Sequence, residues 1–402
     1  MKIVLVILIT ISFLFDLIVV MKNNKNQKEQ KDSLFYQKNE YDKFTSYQTQ
    51  KSKGKLLYIF TRQLFFAFLV IFLYSKIEII GKSFFDNQYL ITLFVVGIIY
   101  TIYQLISSIY EYYDTFIIET KFDFNKSTKK MFLKEQLIDF LITLFIVLFI
   151  SSVLLLIYNN LNEKFVIIGY IIVAFLLILY NIYFVILFMP LMFKMTPIED
   201  ENLRNEIYNM ASKENFNPKY INVLNASAKT TKYNAYFSGF GKNKRVMLFD
   251  NLLEKFSTRE ILAVIAHEVG HSKYNHMLKD LIKDLILTLF YFGMFYIILN
   301  NEYFELTSSS LKFVQSIVIL MIMFEVLNKI IKIATNYISR KHEKEADLYT
   351  KKLGYGPEMS EILVKAAKQN LGNLYPHPVF VLTKFDHPPL LTRLDYLKKE
   401  NK

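Results

Sequence analysis

The stretch Ser257-Thr-Arg-Glu-Ile-Leu-Ala-Val-Ile-Ala-His-Glu-Val-Gly-His271 predicts an apolar helix that carries half of a metal site. Ser257 followed by Glu260 is a capping box, which marks where the helix begins. Positions four apart lie within about 40° of each other on a helix, so His267 and His271 can direct both imidazoles at one ion. Glu268 lies beside them, where it can act on a water molecule at a zinc ion. The alternative is a chance match on an ordinary buried helix.

A catalytic zinc needs a third protein ligand. His276 is nearest in the sequence, but on a continued helix it would point about 140° away from the second histidine of the motif. The later segment Ser339-Arg-Lys-His-Glu-Lys-Glu-Ala-Asp347 offers carboxylates. Helical spacing places Glu343 and the terminal aspartate of this segment on one face, and Glu345 on roughly the opposite face. One of these carboxylates can complete the site; the alternative is a solvated, charged helix end.

The composition indicates a membrane protein. The chain has 402 residues, of which 53% are hydrophobic and 21% charged, and its mean hydropathy is positive. There is no cysteine, which excludes disulfides, thiolate metal ligands and cysteine-nucleophile catalysis. The net charge of +12 lies mostly between the hydrophobic stretches. It therefore indicates contact with anionic lipid head groups and not with nucleic acid.

Hydrophobic length predicts seven transmembrane helices. The predicted spans are 3–21, 64–81, 89–110, 136–158, 165–193, 284–300 and 311–334. Lys and Arg concentrate in alternate loops, with ten of them in 22–63, against none in 301–310. The positive-inside rule then places the N-terminus outside, and 194–283 and the tail beyond 335 in the cytosol. No small-residue cleavage pattern follows the first span, so we expect an uncleaved anchor.

Polar groups inside the predicted spans have two interpretations. They are Asp16, Glu78, Asp139, Asn181 and Glu325. Charged groups at such a depth are costly and usually face the interior of a helix bundle or water. They therefore either form hydrogen bonds between helices or line a water-filled cavity.

The stretch 194–260 predicts a small α/β insertion between the fifth and sixth predicted spans. Glu199–Ser212 has helical spacing, and Tyr220–Leu224 alternates like a strand. Lys232–Phe240 and Lys244–Phe249 are two further short strand candidates.

Five blocks of sequence, in this order, resemble the integral-membrane CaaX prenyl protease 1 family of zinc metalloproteases. They are Tyr113–Lys126, Asn234–Asp250, His267–His271, Ser339–Asp347 and His387-Pro-Pro-Leu-Leu-Thr-Arg393. The resemblance implies that Glu343 is the third zinc ligand and that Asp347 supports it. It also implies a mainly α membrane protein whose seven helices surround a water-filled intramembrane chamber, with the zinc at the cytosolic end.

The resemblance also implies roles at the substrate. Asn234 and Ala235 would lie on an edge strand that pairs with the substrate backbone. His387 and Arg393 would approach the reacting carbonyl or its surroundings. For His387 the alternative is a purely structural role in a rigid turn beside two prolines.

The expected function is a zinc metalloendopeptidase in which Glu268 serves as the general base. Its substrate would be a peptide or protein, prenylated or membrane-embedded, and the chain would act as a monomer. The expected division is 1–194, 195–283, 284–334 and 335–402. We expect a bacterial cytoplasmic membrane, with the endoplasmic reticulum as the alternative, because the chain is compact and ends without a dilysine-type signal. Two rivals are an HtpX-like quality-control protease and a metal-binding transporter.

Overall fold

A computed structural model of the chain is mainly helical and contains one small sheet. It describes residues 1–29, 38–161, 164–214, 216, 220–233, 235–238, 244–307 and 311–398. At 38–39, 184–186 and 235–238 only the backbone is described.

Long helices occupy the chain ahead of the sheet. They are α1 (Lys2–Glu29), α2 (Lys38–Phe68), α3 (Tyr74–Phe84), α4 (Gln88–Tyr113), α5 (Lys129–Leu161), α6 (Phe165–Leu187) and the short α7 (Met189–Met192). A π-helical turn at Leu69–Leu73 joins α2 to α3, and another at Asp114–Glu119 extends α4.

The α/β segment follows. Its elements are β1 (Met195–Pro197), α8 (Glu201–Lys213), β2 (Tyr220–Leu224), β3 (Ala235–Ser238) and β4 (Arg245–Phe249). The strand order is β1-β2-β4-β3, with β2 and β4 parallel and the outer pairs antiparallel. The helix α8 and the strands β2, β3 and β4 agree in type and position with the predicted helix and the three predicted strands, whereas β1 was not predicted. β3 lies at an edge of the sheet.

Helices also make up the described chain beyond the sheet. They are α9 (Asp250–Lys255), α10 (Thr258–Lys273), α11 (His276–Leu299), α12 (Lys312–Lys352), α13 (Gly356–Gln369), α14 (Pro378–Lys384) and α15 (Leu390–Lys398). α11 and α12 pack against each other, and α10 packs against α12.

Six helical stretches within the described residues are long and apolar enough to cross a membrane. They are Lys2–Glu29, Glu40–Phe84, Gln88–Glu119, Lys129–Leu161, Phe165–Tyr183 and His276–Leu299. Each contains or overlaps one of the first six predicted spans. Large apolar side chains on these helices are exposed, such as Ile109 at 71% and Phe145 at 68%. Such surfaces suit a lipid environment.

The structure differs from the prediction at two spans. The predicted fifth span, 165–193, is too long because α6 ends at Leu187 and Pro190 lies in the first turn of α7. Proline has no backbone N–H and cannot continue a helix through its interior. The predicted seventh span, 311–334, lies on α12 but is not among the six stretches. The count of seven spans therefore stays a prediction.

Polar groups in the spans form contacts between helices. The buried carboxylate of Asp16 on α1 pairs with Lys329 of α12 and Lys384 of α14. Arg62 of α2 pairs with Glu325 of α12. Such pairing is how costly charges are accommodated in a bundle interior.

Two other polar groups in the spans lie on α5 and α6. Asp139 accepts a hydrogen bond from Gln104 and lines a cavity of about 310 Å³ beside α6. Asn181 donates to the carbonyl of Leu177 in its own helix. A larger intramembrane chamber stays a prediction.

One apolar core lies beneath α10. It joins the buried faces of α8, α10 and α13 to the sheet and includes Ile207, Val246, Leu248, Ile265 and Val269. Because the apolar positions of α10 are fixed in this core, the remaining face of the helix presents its histidines to α12.

Candidate active site

The helix that carries the histidines begins as predicted. Ser257 is its N-cap and forms a reciprocal capping box with Glu260. The Glu260 carboxylate accepts from the Ser257 backbone N–H at 3.0 Å and also pairs with Lys365 of α13. The cap therefore sets the start of α10 and attaches it to a neighbouring helix.

A glycine allows α10 and α12 to approach closely. A Cβ added to Gly270 would lie 2.9 Å from the Cα of Ala346. Gly270 directly precedes His271, and Ala346 lies between Glu343 and Asp347. The same close contact that requires a glycine therefore brings the two halves of the predicted site together.

Two imidazoles and one carboxylate converge between these helices. Nε2 of His267 and Nε2 of His271 are 3.1 Å apart. The Glu343 oxygens lie 3.4 Å from the first nitrogen and 3.3 Å from the second. Ligand atoms bound to one tetrahedral zinc at 2.0–2.1 Å would be separated by about 3.3 Å. The donor set and its spacing fit that ion.

The electrostatics of the three groups also favour a bound cation. Oε2 of Glu343 is buried and makes no hydrogen bond to a described residue. Although its burial opposes ionisation, the two imidazoles hold the pKa of Glu343 far below its usual range. Burial opposes the charged form of His267 as well, yet the carboxylates of Asp347 and Glu343 raise its pKa to about 10. An ionised, incompletely bonded carboxylate between two imidazoles is a typical metal-ligand arrangement.

Asp347 supports the site through one of the two histidines. Its fully buried carboxylate lies 2.9 Å from Nδ1 of His267. It accepts two bonds from Arg393 at 2.7 Å each and one from the Tyr396 hydroxyl at 2.8 Å. Burial acts against ionisation here too, but His267 and Arg393 lower the pKa of Asp347 to about 2. Because Asp347 contacts Nδ1 of His267, the opposite nitrogen of that ring, Nε2, faces Glu343.

Arg393 is therefore engaged by a buried carboxylate. Its side chain is buried, and its guanidinium pairs bidentately with Asp347. Its nearest approach to Glu343 is 3.8 Å. The structure thus gives Arg393 a structural partner, and its approach to the reacting carbonyl or its surroundings stays a prediction.

His387 and Glu268 occupy the more accessible part of the site. Nε2 of His387 lies 3.4 Å from Glu343, its Nδ1 contacts Asp386 at 2.8 Å, and 55% of its side chain is exposed. The bond to Asp386 raises the pKa of His387, which favours its cationic form. Glu268 is half-buried, and burial raises its pKa. A base with a raised pKa is suited to proton transfer near neutrality.

The structure adds one residue that the prediction placed elsewhere. α10 ends at Lys273, and Asn275 adopts a left-handed conformation with φ 54°. The chain turns there, so His276 begins α11 and its Nδ1 lies 3.0 Å from Nδ1 of His271. The expectation that His276 points away assumed one continuous helix. Asn275 was the available signal, because asparagine tolerates the left-handed conformation that ends helices.

The edge strand is present where the sequence predicted it. Ala235 begins β3 and pairs with Leu248 of β4, and the other side of β3 has no neighbouring strand among the described residues. Asn234 lies outside the described residues. The backbone of β3 is therefore placed to accept a further strand.

Comparison with protein families gives two matches that together cover most of the chain. Residues 16–194 match the CAAX prenyl protease N-terminal region with five membrane helices. Residues 197–401 match Peptidase family M48. The break between the two matches falls within β1, the first element of the α/β segment.

Individual relatives agree with these matches. The CAAX prenyl protease 1 homolog of Oryza sativa is 31% identical over 329 residues, which cover 79% of this chain and 76% of that protein. The human homolog is 30% identical over 328 residues, covering 71% and 69%. The crystal structure of S. mikatae Ste24p matches with a TM-score of 0.90 at 25% identity and covers 99% of this chain and 98% of that chain. The chain therefore belongs to peptidase family M48, with the CAAX prenyl proteases 1, and is an integral-membrane metalloprotease.

Proposed function

We propose that this chain is a zinc metalloendopeptidase whose ion is held by His267, His271 and Glu343. The observation that carries the proposal is that one ligand atom from each of these residues lies within 4.8 Å of the others. A bound zinc would polarise a scissile carbonyl and make water more acidic. Family membership shows a protease, so a transporter no longer competes with this assignment.

The chain's own residues supply the proton transfers and the charge stabilisation. Glu268 takes a proton from the attacking water and delivers it to the leaving amine. His387, exposed and biased towards its cationic form, donates a hydrogen bond to the oxygen that becomes negatively charged. Asp347 holds His267 in one orientation, and Arg393 holds Asp347.

The proposed substrate is a peptide that ends in a prenylated cysteine followed by three residues. Support comes from the relatives' names and from the two parts of the fold: a helical membrane part and an edge strand near the site. The side of β3 on which no described strand lies, with Ala235 and the adjacent Asn234, would pair with an extended peptide through its backbone. Lipids would surround the exposed apolar helices.

The proposed topology has seven spans, with the active site in the cytosol. α11 starts at His276 beside the site and runs about 36 Å, which is enough to cross a bilayer. α12 packs along α11, and its distal half carries Glu343 at the same site. If α11 crosses the membrane, α12 must cross back, which would make 311–334 the seventh span.

Three further expectations belong to this proposal. The division into 1–194, 195–283, 284–334 and 335–402 follows from the spans, with the second part as a cytosolic insertion. A monomer is the proposed functional unit, because His267, His271 and Glu343 of one chain already supply the three protein ligands that a catalytic zinc uses. The proposed location is a bacterial cytoplasmic membrane, with the endoplasmic reticulum membrane as the alternative. The relatives named above are eukaryotic, which supports the alternative.

A pair of peptides tests the substrate assignment. Purified protein in detergent is given the same short peptide with and without its prenyl group, with Glu268→Gln as the inactive control. The proposal predicts preferential cleavage of the lipidated peptide. If zinc-loaded, folded protein cleaves neither peptide, the assignment of prenylated substrates is wrong.

Equal cleavage of both peptides would favour the second candidate, a general membrane quality-control endopeptidase. The observation behind that candidate is the edge strand β3. Recognition by backbone pairing is tolerant of sequence and does not itself require a lipid.

A further inference from the structure

A buried histidine outside the proposed ligand set contacts one of its members. Only 2% of His276 is exposed. Its Nδ1 lies 3.0 Å from Nδ1 of His271, and its Nε2 lies 2.9 Å from Oε2 of Glu345. The contacts form a continuous chain from a carboxylate on α12, through the first residue of α11, to a residue on α10.

The partners at the two ends of this chain determine where its protons lie. A carboxylate only accepts, so Nε2 of His276 carries the proton that it shares with Glu345. Two nitrogens at 3.0 Å need one donor and one acceptor. Nδ1 of His276 is therefore the acceptor, and Nδ1–H of His271 is the donor.

This arrangement leaves Nε2 of His271 without a proton. That nitrogen faces Nε2 of His267 at 3.1 Å and the Glu343 carboxylate at 3.3 Å. A ring nitrogen binds a metal only through a free lone pair. The chain of contacts thus selects the ring form that a ligand needs.

We propose that His276 and Glu345 position His271 for metal binding by fixing its orientation and its tautomer. The proposal rests on the zinc site proposed above and deepens it. His276 does for His271 what Asp347 does for His267, so each imidazole of the motif has a separate buried support. His276 is a positioning residue and contacts neither substrate nor metal.

A packing role is the alternative explanation for His276. Its ring stacks on His342 with centroids 4.1 Å apart and planes at 10°, and on Tyr274 at 5.7 Å. An aromatic ring without nitrogens would preserve both contacts. The two explanations therefore differ in what His276→Phe does.

The test measures zinc affinity by competition with a chelator, using full-length protein in detergent. His276→Phe keeps the ring but has no acceptor, and it should weaken zinc binding by about 10–100-fold. His276→Asn should restore most of the affinity, because its Oδ1 is bonded to Cγ as Nδ1 is and can accept from His271. Glu345→Ala should also weaken zinc binding, as His276→Phe does.

Controls separate this proposal from folding and from the zinc assignment. His342→Phe keeps the stacked ring beside His276 and should bind zinc as the wild type does. The visible spectrum of the cobalt-substituted protein should change in His276→Phe but not in His342→Phe. Wild-type affinity in His276→Phe would overturn the positioning role while leaving the zinc site intact. Failure of the wild type to bind zinc would overturn the proposed function and this inference with it.

Discussion

At the scale of single residues, the two nitrogens of each motif imidazole have different tasks. Nε2 of His267 and Nε2 of His271 face each other and Glu343. The opposite nitrogens contact Asp347 and His276. An imidazole held at one nitrogen presents the other in a defined direction, which increases its affinity for a metal.

Spacing along one helix predicted His267, His271 and Glu268, because helical periodicity is a local property. The partner of Asp347 was not predictable in the same way. Asp347 lies one turn beyond Glu343 on α12, but which side chain of α10 it meets depends on how the two helices cross. The predicted position of His276 was wrong because that position depends on where α10 ends.

His387 provides the first prediction. His387→Ala should lower kcat by about 10²-fold, with zinc content and KM near those of the wild type, which is the usual effect of losing one donor to a developing oxyanion. Steady-state kinetics on a cleaved peptide measure this. Loss of thermal stability with an unchanged rate per folded molecule would instead show that His387 has a structural role in its turn.

Arg393 provides the second prediction. Arg393→Leu leaves the fully buried Asp347 without its bidentate cation. Removing one partner of a buried ion pair typically costs about 3–5 kcal/mol. Thermal or denaturant unfolding in detergent should show a destabilisation of that order. A stable variant that only loses kcat would restore the expected role beside the substrate carbonyl.

At the scale of elements, the contact of α10 with α12 determines the site. The helices cross where Gly270 meets the backbone of Ala346. α10 is fixed on its other side by the core that contains Ile265 and Val269. There is consequently little room for α10 to shift when the contact with α12 changes.

Gly270→Ala is the prediction for this contact. The new methyl group would lie 2.9 Å from a backbone atom, and overpacking of this kind costs about 1–3 kcal/mol. We expect a lower unfolding temperature and weaker zinc binding, because the separated helices move the ligands apart. Gly293→Ala on α11 is the matched control, since nothing lies within 4 Å of its added Cβ. Equal unfolding temperatures and equal zinc affinities of the two variants would contradict this account.

The elements were predictable where their signals are local. β2 matches the predicted strand Tyr220–Leu224 residue for residue, and the capping box marks the start of α10. The predicted fifth span is too long at its C-terminal end, because hydropathy alone does not detect the break at Pro190. The order of strands in the sheet depends on long-range pairing, which periodicity does not encode.

At the scale of the whole molecule, the site lies where α11 begins after α10 and where the distal half of α12 packs against α10. His276 begins α11, while Glu343 lies on the distal half of α12. The buried contacts of Asp16 with Lys329 and Lys384 attach α1 to α12 and α14. The helices of the membrane part and the C-terminal segment are thus connected through α12.

Cysteine labelling tests the proposed orientation, and the chain has no native cysteine to interfere. Lys213→Cys and Glu302→Cys each place a thiol at an exposed position. In intact cells, an impermeant reagent should label the Glu302→Cys protein and spare the Lys213→Cys protein. Labelling of Lys213→Cys from outside would reverse the topology and remove the active site from the cytosol.

The zinc content of purified protein tests the central claim most directly. Elemental analysis should find one zinc per chain in the wild type and in Glu268→Gln, because Glu268 is proposed as a base and not as a ligand. Glu268→Gln should also lose activity by several orders of magnitude. His271→Ala and Glu343→Ala should each lose stoichiometric zinc, since two ligands hold the ion poorly. Full zinc occupancy in Glu343→Ala would contradict the proposed site and require a different third ligand.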